Sequence, residues 1–288
     1  AFIASLLGIP HIVVAINKMD LVDWSEERFD EIVREFSEFR RGLAAQDVTF
    51  IPISALHGDN VVDRSETADW YHGPALLEHL ETVEAGSDRN LSELRFPVQW
   101  VIRPGTDEHH DYRGYAGQIA SGVVRPGDRV VVLPSGRETT VAAIETADGP
   151  LEEGFAGLSV TIRLADDVDV SRGDLICHVD DQPTLDREFT ADVCWMSDRP
   201  LRPQGRYLLK HATHTSEVLI DELTDLVDVH TLERTPAPAR LTLNEIGAVK
   251  LRTRRPLAFD PYIENRATGR FILIDASTND TVGAGMIR

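Results

Sequence analysis

The apolar run Ile12-Val13-Val14-Ala15-Ile16 stops abruptly at Asn17-Lys18-Met19-Asp20. A run of mostly β-branched residues that ends in polar groups predicts a buried parallel strand opening onto a ligand crevice. Helix and strand signals alternate around it. Residues 1 to 7 read as the end of a helix stopped by Gly8 and Pro10. Ser25 caps a helix whose apolar positions Phe29, Ile32, Val33 and Phe36 follow helical spacing, with Glu26 and Glu27 in its first turn and Gly42 at its end. A second apolar run, Val48 to Ile53, leads into Ser54-Ala55-Leu56, and Pro74 suits the first turn of a last helix carrying Leu76, Leu77, Leu80 and Val83. Residues 1–89 therefore predict half of an α/β domain.

The polar stretch Glu84 to Asn90 predicts a linker, after which the period becomes two. Phe96, Val98, Trp100 and Ile102 alternate with other residues, as do Leu158, Val160, Ile162 and Leu164. Turn signals recur at Arg125-Pro126-Gly127-Asp128, Pro134-Ser135-Gly136 and Arg172-Gly173-Asp174. Many short strands with regular turns predict a small β-barrel over 90–182. A second unit, 183–288, follows Asp180-Asp181-Gln182-Pro183. In it Phe189, Ala191, Val193 and Trp195 alternate, before strand signals at Tyr207 to Ala212, Leu241 to Leu251 and Arg270 to Asp275. Thr235-Pro236-Ala237-Pro238 is read as a local extended break. The expected architecture is a truncated α/β domain followed by two small β-barrels.

Charge narrows the partners. Of the formal charge of −19, residues 1–89 carry −10 (7 basic, 17 acidic), so the acidity is spread along the chain. Such a field opposes nucleic-acid binding, which needs clustered Lys and Arg. No apolar run approaches a membrane span. Cys177 and Cys194 lack metal-type spacing and are read as buried thiols of a reducing, cytoplasmic compartment.

The residues after the two apolar runs suit a guanine base. The Asp20 carboxylate can accept from both N1–H and the exocyclic amine, an edge adenine lacks. The Asn17 amide can address the O6/N7 side, and the Lys18 stem can lie along the ring. Met19 would supply spacing and backbone only. Backbone N–H groups of the turn at Ser54, Ala55 and Leu56 could hold O6. A two-pronged polar contact of this kind rejects the wrong base by a factor of roughly 10⁴ or more, because its carboxylate would be left unpaired.

That order of elements, with those motifs, resembles the translation-factor class of GTPases along the whole chain. Asn17-Lys18-Met19-Asp20 is similar to the class's guanine-specificity motif and Ser54-Ala55-Leu56 to its second guanine-contacting turn. His57-Gly58-Asp59-Asn60-Val61 and the stretch from Trp70 to Glu78 resemble the elongation factor 1-alpha branch. Three further stretches are similar to the large-subunit family of ATP sulfurylase (sulfate adenylyltransferase). They are Asp111 to Gly117 with Ser121-Gly122, Trp195-Met196-Ser197, and Asn265 to Asp275, and the ending Val282 to Ile287 fits too.

The resemblance implies a GTP-binding subunit that couples GTP hydrolysis to adenylyl transfer from ATP onto sulfate, giving adenosine 5′-phosphosulfate and diphosphate. Its implied partner is a small catalytic subunit that holds the transfer site, and in some relatives an adenylylsulfate kinase domain follows the second barrel. A translation elongation factor delivering aminoacyl-tRNA is the alternative within the class. Residues 1–89 contain no GxxxxGK[ST] loop, magnesium-holding switch Thr or Asp-x-x-Gly. Those parts precede the guanine motif in the class. The chain as it stands is expected to recognise a base, to hold neither the phosphates nor their Mg²⁺, and to be inactive alone, so no catalytic or metal-binding residue is assigned.

Other candidates are read as structural. Lys18 is one of three lysines, which favours a role for its flexible stem over a solvated loop charge. His109-His110 converge poorly on one ion and are read as loop polarity. His211 and His214 would lie on opposite faces of an extended strand and are read as barrel surface. Arg252, Arg254 and Arg255 are read as a solvated strand end, with an anionic partner surface as the functional alternative. Trp24 is read as packing, and Gly114, Gly117 and Gly122 as barrel bends.

Overall fold

The computed structural model describes residues 9, 11–39, 47–83, 90–104, 112–228, 233–236 and 239–288. The helix end at 1–7 with its stops, Gly42, the linker from Glu84 to Arg89, Asp111, His109-His110 and Ala237-Pro238 lie outside them. The chain divides into two compact units, Ala1–Asp88 and Arg89–Arg288.

In the first unit strand β1 (His11–Ile16) leads through a 3-10 turn (Met19–Val22) into helix α1 (Glu26–Phe39), then to β2 (Asp47–Pro52) and the short helix α2 (Leu76–Thr82). β1 and β2 are parallel, with Ile16 opposite Pro52. β1 is half-buried along most of its length, less than its apolar run predicts, because the described sheet has two strands and leaves one edge of each uncovered. The Arg28 N–H donates to Ser25 Oγ at 3.3 Å, the cap the sequence predicts. Phe29 packs with Ile16 and Met19, joined by Trp24, Ile32, Val33 and Trp70. Phe36 meets Phe50 edge-on at 5.6 Å. Pro74 lies just outside α2 and not in its first turn. The Glu78 carboxylate reaches back to the Ala75 N–H at 3.3 Å, which fixes the cap at Ala75.

The second unit holds two β systems, each with its own core. In the first, the sheet runs from Phe96–Pro97 through Leu175–His178, Arg129–Leu133, Arg137–Thr146, Ser159–Leu164 and Gly114–Gln118 to Trp100–Ile102. An Arg95–Ser121 bridge, just before Phe96 and just after Gln118, links the two sides of this sheet. Val160 and Ile162 point inward as their alternation predicts. Of the expected single strand through Phe96, Val98, Trp100 and Ile102, Phe96 and Val98 face the core, but the pairing partner changes after Val98. The Val98 N–H donates to Asp174 O and the Gln99 N–H to Ala116 O, each at 2.9 Å. The phase is lost there, and Trp100 stands 66 % exposed.

The second system closes. Six strands follow in the order Arg206–His211, Arg270–Ile274, Thr281–Ile287, Thr184–Trp195, Ile246–Phe259 and His214–Val227, and the last pairs back onto the first. Phe189, Ala191, Val193 and Trp195 all face the core. Closure removes the sheet edges that would otherwise invite aggregation.

Gly122 lies at φ +78°, and a Cβ there would sit 2.4 Å from the Leu94 backbone. Gly122→Ala is expected to cost about 2 kcal/mol or more, through left-handed strain plus the backbone clash. An unchanged urea midpoint would show that the loop can move aside.

His211 and His214 correct the sequence reading. They face each other across a two-residue turn, Ala212-Thr213, and His211 is buried. The segment is a hairpin and not one extended strand, so spacing of three puts the rings together. His211 donates from Nε2 to the Thr268 carbonyl at 2.6 Å. Burial holds its imidazole below the ordinary value, against that hydrogen bond; His214 adds to the lowering and Asp260 opposes it. The unfolded chain takes up this proton near pH 6.5 and the folded one only at lower pH, so stability is lost as pH falls below about 6.5. His211→Gln is expected to shrink the drop in urea midpoint between neutral and mildly acidic buffer. A drop as large as that of the parent chain would exclude His211 as its source.

Candidate functional site

The guanine-type residues converge where the two parallel strands end. The Ile53 N–H donates to Ile16 O at 2.9 Å, carrying the strand pairing one step past the ladder. The Met19 N–H then returns to Ile53 O at 3.2 Å, and its fully buried side chain anchors the turn in the core. The Asn17 side-chain oxygen closes the link by accepting the Ala55 N–H at 3.0 Å and the Lys18 N–H at 2.7 Å. Asn17 and Ala55, 38 residues apart, are thereby held in one assembly at the carboxyl end of a parallel sheet, where open α/β folds place ligands.

Lys18 adopts left-handed backbone at φ 68°. A non-glycine residue rarely takes that conformation, and it is retained where surrounding contacts enforce it, often at a binding site. Here the Asn17 and Met19 hydrogen bonds enforce it. The Asp20 side chain is 18 % exposed, and His57 Nε2 lies 3.9 Å from its Oδ2. Among the described residues its carboxylate accepts no hydrogen bond, which leaves it open to donors from outside the chain.

The second turn is equally well supported. Ser54 is fully buried and bridged to Asp59, and the Gly58 N–H returns to Ser54 O at 2.8 Å. Ala55 and Leu56 project outward, Leu56 at 83 % exposure. Because Asn17 takes the Ala55 N–H, the turn donor with no acceptor among the described residues is the Leu56 N–H. Two supporting residues carry no local signal. Asn60, nearly fully buried, donates to Pro52 O at 2.9 Å and accepts from the Ser65 N–H at 2.7 Å, and His57 faces Asp20.

All seven expected residues thus lie on two adjoining turns, and the arrangement offers one carboxylate, one amide NH₂ and one backbone donor. Asn17→Ala would strip two N–H groups of their acceptor. It is expected to lower the stability of this unit by roughly 1 kcal/mol, read by urea unfolding followed at Trp24 and Trp70. No loss would mean that water replaces the amide.

Among the described residues no group of three His, Cys, Asp or Glu side chains could hold a metal, and no helix is long and apolar enough to cross a membrane. Both cysteines are free, and burial pushes the Cys177 thiol up to about 12.

The chain is similar to known proteins along its whole length. Residues 1–92 match the model of the elongation factor Tu GTP binding domain, and residues 188–288 that of the GTP-eEF1A C-terminal domain-like family. The bifunctional enzyme CysN/CysC of Mycobacterium tuberculosis is 54 % identical over 288 residues, all of this chain and 47 % of its own length. Sulfate adenylyltransferase subunit 1 of Bacteroides fragilis is 50 % identical over 286 residues, 99 % of this chain and 59 % of the relative. The chain therefore spans about half to three-fifths of the length of these relatives. The crystal structure of sup35 complexed with GMPPNP superposes with a TM-score of 0.63 at 28 % identity, over 99 % of this chain and 70 % of that one. The chain belongs to the translation-factor class of GTPases and, within it, to the family of sulfate adenylyltransferase subunit 1.

Proposed function

We propose that this chain forms part of a cytoplasmic GTPase subunit of sulfate adenylyltransferase, which couples GTP hydrolysis to the formation of adenosine 5′-phosphosulfate and diphosphate from ATP and sulfate. The observation that carries the reading is the 54 % and 50 % identity along essentially the whole chain to proteins with that name and its bifunctional form. The Asn17–Ala55 link supports the nucleotide part of it. In this reading Asp20 takes the N1–H and amine edge of guanine, and the Asn17 NH₂ and the Leu56 N–H lie toward O6 and N7. Lys18 covers the ring, while Met19, Ser54 and Ala55 hold the frame. Residues 1–89 are the base-recognising part of the GTP domain, and 90–182 and 183–288 its two barrels.

The described residues fit a guanine base and do not fit a Mg²⁺ ion, so no step is assigned to metal here. The proposed partner is a small catalytic subunit that carries the adenylyl-transfer site. The fused name of the Mycobacterium relative supports an adenylylsulfate kinase domain in some members. Delivery of aminoacyl-tRNA is the weaker reading, since the likeness to translation factors is one of fold and the charge of −19 opposes a polyanion. In the full-length protein, GTP hydrolysis is expected to rise on adding the small sulfurylase subunit and not on adding ribosomes. The opposite response would replace the sulfate reading with the translational one.

A further inference from the structure

The outer face of the closed barrel carries a cleft of about 460 Å³ whose charge is opposite to that of the chain. Arg187, Arg206, Arg252 and Arg254 line it, against a single lining carboxylate, Glu217. Strand register builds this. Arg206 stands opposite Leu219, and Leu219 opposite Arg252, so the three side chains form one row on one face. Leu208 and Glu217 form the next row, and Arg254, two residues past Arg252, is level with it.

Arg252 bonds Asp221 at 2.8 Å and Arg254 approaches Glu217 at 3.6 Å. Arg187 and Arg206 have no carboxylate partner among the described residues. Converging guanidinium groups repel one another, and a cleft focuses their field. The arrangement is complementary to an anion, with Leu208 and Leu219 as an apolar floor between the charges.

We propose that this cleft docks a short acidic and apolar peptide segment of a partner protein. Its carboxylates pair with Arg187 and Arg206, and an aliphatic side chain lies over Leu208 and Leu219. Arginine suits the task, since its planar fork takes a carboxylate bidentately. A nucleic acid fits less well. Glu188 stands opposite Arg252 at one margin, and Asp221 and Glu222 flank it on the neighbouring strand. An extended phosphate backbone would have to run over these carboxylates within a Debye length, whereas a short segment avoids them. The proposal is independent of the guanine site and of the sulfate reading.

The test uses the whole chain and a fluorescein-labelled Asp-Leu-Asp-Leu-Asp-Asp peptide, followed by anisotropy. A Lys-Leu-Lys-Leu-Lys-Lys peptide and a short labelled DNA duplex serve as comparisons. Saturable binding of the acidic peptide is expected, weakened roughly tenfold or more by Arg187→Glu with Arg206→Glu, and weakened by added salt. The milder pair Arg187→Gln with Arg206→Gln should act in the same direction, with circular dichroism unchanged. No saturable binding, equal binding by the variants, or tighter binding of the duplex or the basic peptide would each overturn the proposal.

Discussion

In the full-length protein, Asp20→Asn is expected to weaken GDP by roughly 10³-fold or more and to strengthen xanthosine diphosphate. The wild-type carboxylate receives no hydrogen bond from the described residues and sits beside the Asn17–Ala55 link. It can accept both donors of the guanine edge. Asparagine accepts one of them and turns an N–H toward the other, where guanine presents an amine and xanthine a carbonyl. The loss with guanine therefore combines a missing bond with a donor facing a donor. The exchange keeps shape and volume, so a fold defect would not mimic it. Calorimetry with the two diphosphates reads the result directly. An unchanged preference for guanine would remove Asp20 from the base site, and with it the nucleotide part of the proposed function.

Local physics made much of this molecule legible. Ile12 to Ile16 with Val48 to Ile53 announced a parallel pair, Ser25 a cap, and Phe189 to Trp195 an inward-facing strand. Each of these depends on near neighbours. The errors arose where a turn carries no turn residue. Nothing in Ala212-Thr213 signals a hairpin, yet Ala212 takes left-handed backbone at φ 46°, and His211 becomes core. Likewise the strand through Phe96, Val98, Trp100 and Ile102 changes pairing partner after Val98, which its alternation does not show. The residues of the proposed base site were visible because their chemistry is specific, whereas Asn60 and the hydrogen bond from Ala55 to Asn17 depend on folded geometry. Within the stretch from Asn265 to Asp275 the strand was legible from its pattern, but Asn265 to Gly269 drew notice only through family resemblance, and the structure gives them a physical task. Asn265 donates to Ser121 Oγ at 2.7 Å, Thr268 donates to Asp260, and Arg270–Ile274 is a barrel strand.

That task leads to the largest stability effect expected here. Arg95, on the first β system, lies 2 % exposed and grips Asp260, on the second, through Nε and Nη2 at 2.9 Å each. Its Nη1 is spent on the Leu94 and Asp181 carbonyls, also at 2.9 Å each. Asp260 in turn takes the Thr268 hydroxyl. A buried pair so fully hydrogen-bonded gains little over apolar packing, but removing Asp260 leaves the buried guanidinium, among the described residues, with only the 41 % exposed Asp181 carboxylate at 3.5 Å from Nη2. Asp260→Ala is therefore expected to destabilise the two-barrel unit by about 3–5 kcal/mol in urea unfolding. Arg95→Met with Asp260→Leu should recover much of that loss, because no charge remains to be solvated. Asp260→Ala costing under about 1 kcal/mol would mean that water reaches the guanidinium and that apolar packing alone joins the barrels. If the single change is severe and the double one equally so, the pair supplies net stability and not only specificity of docking.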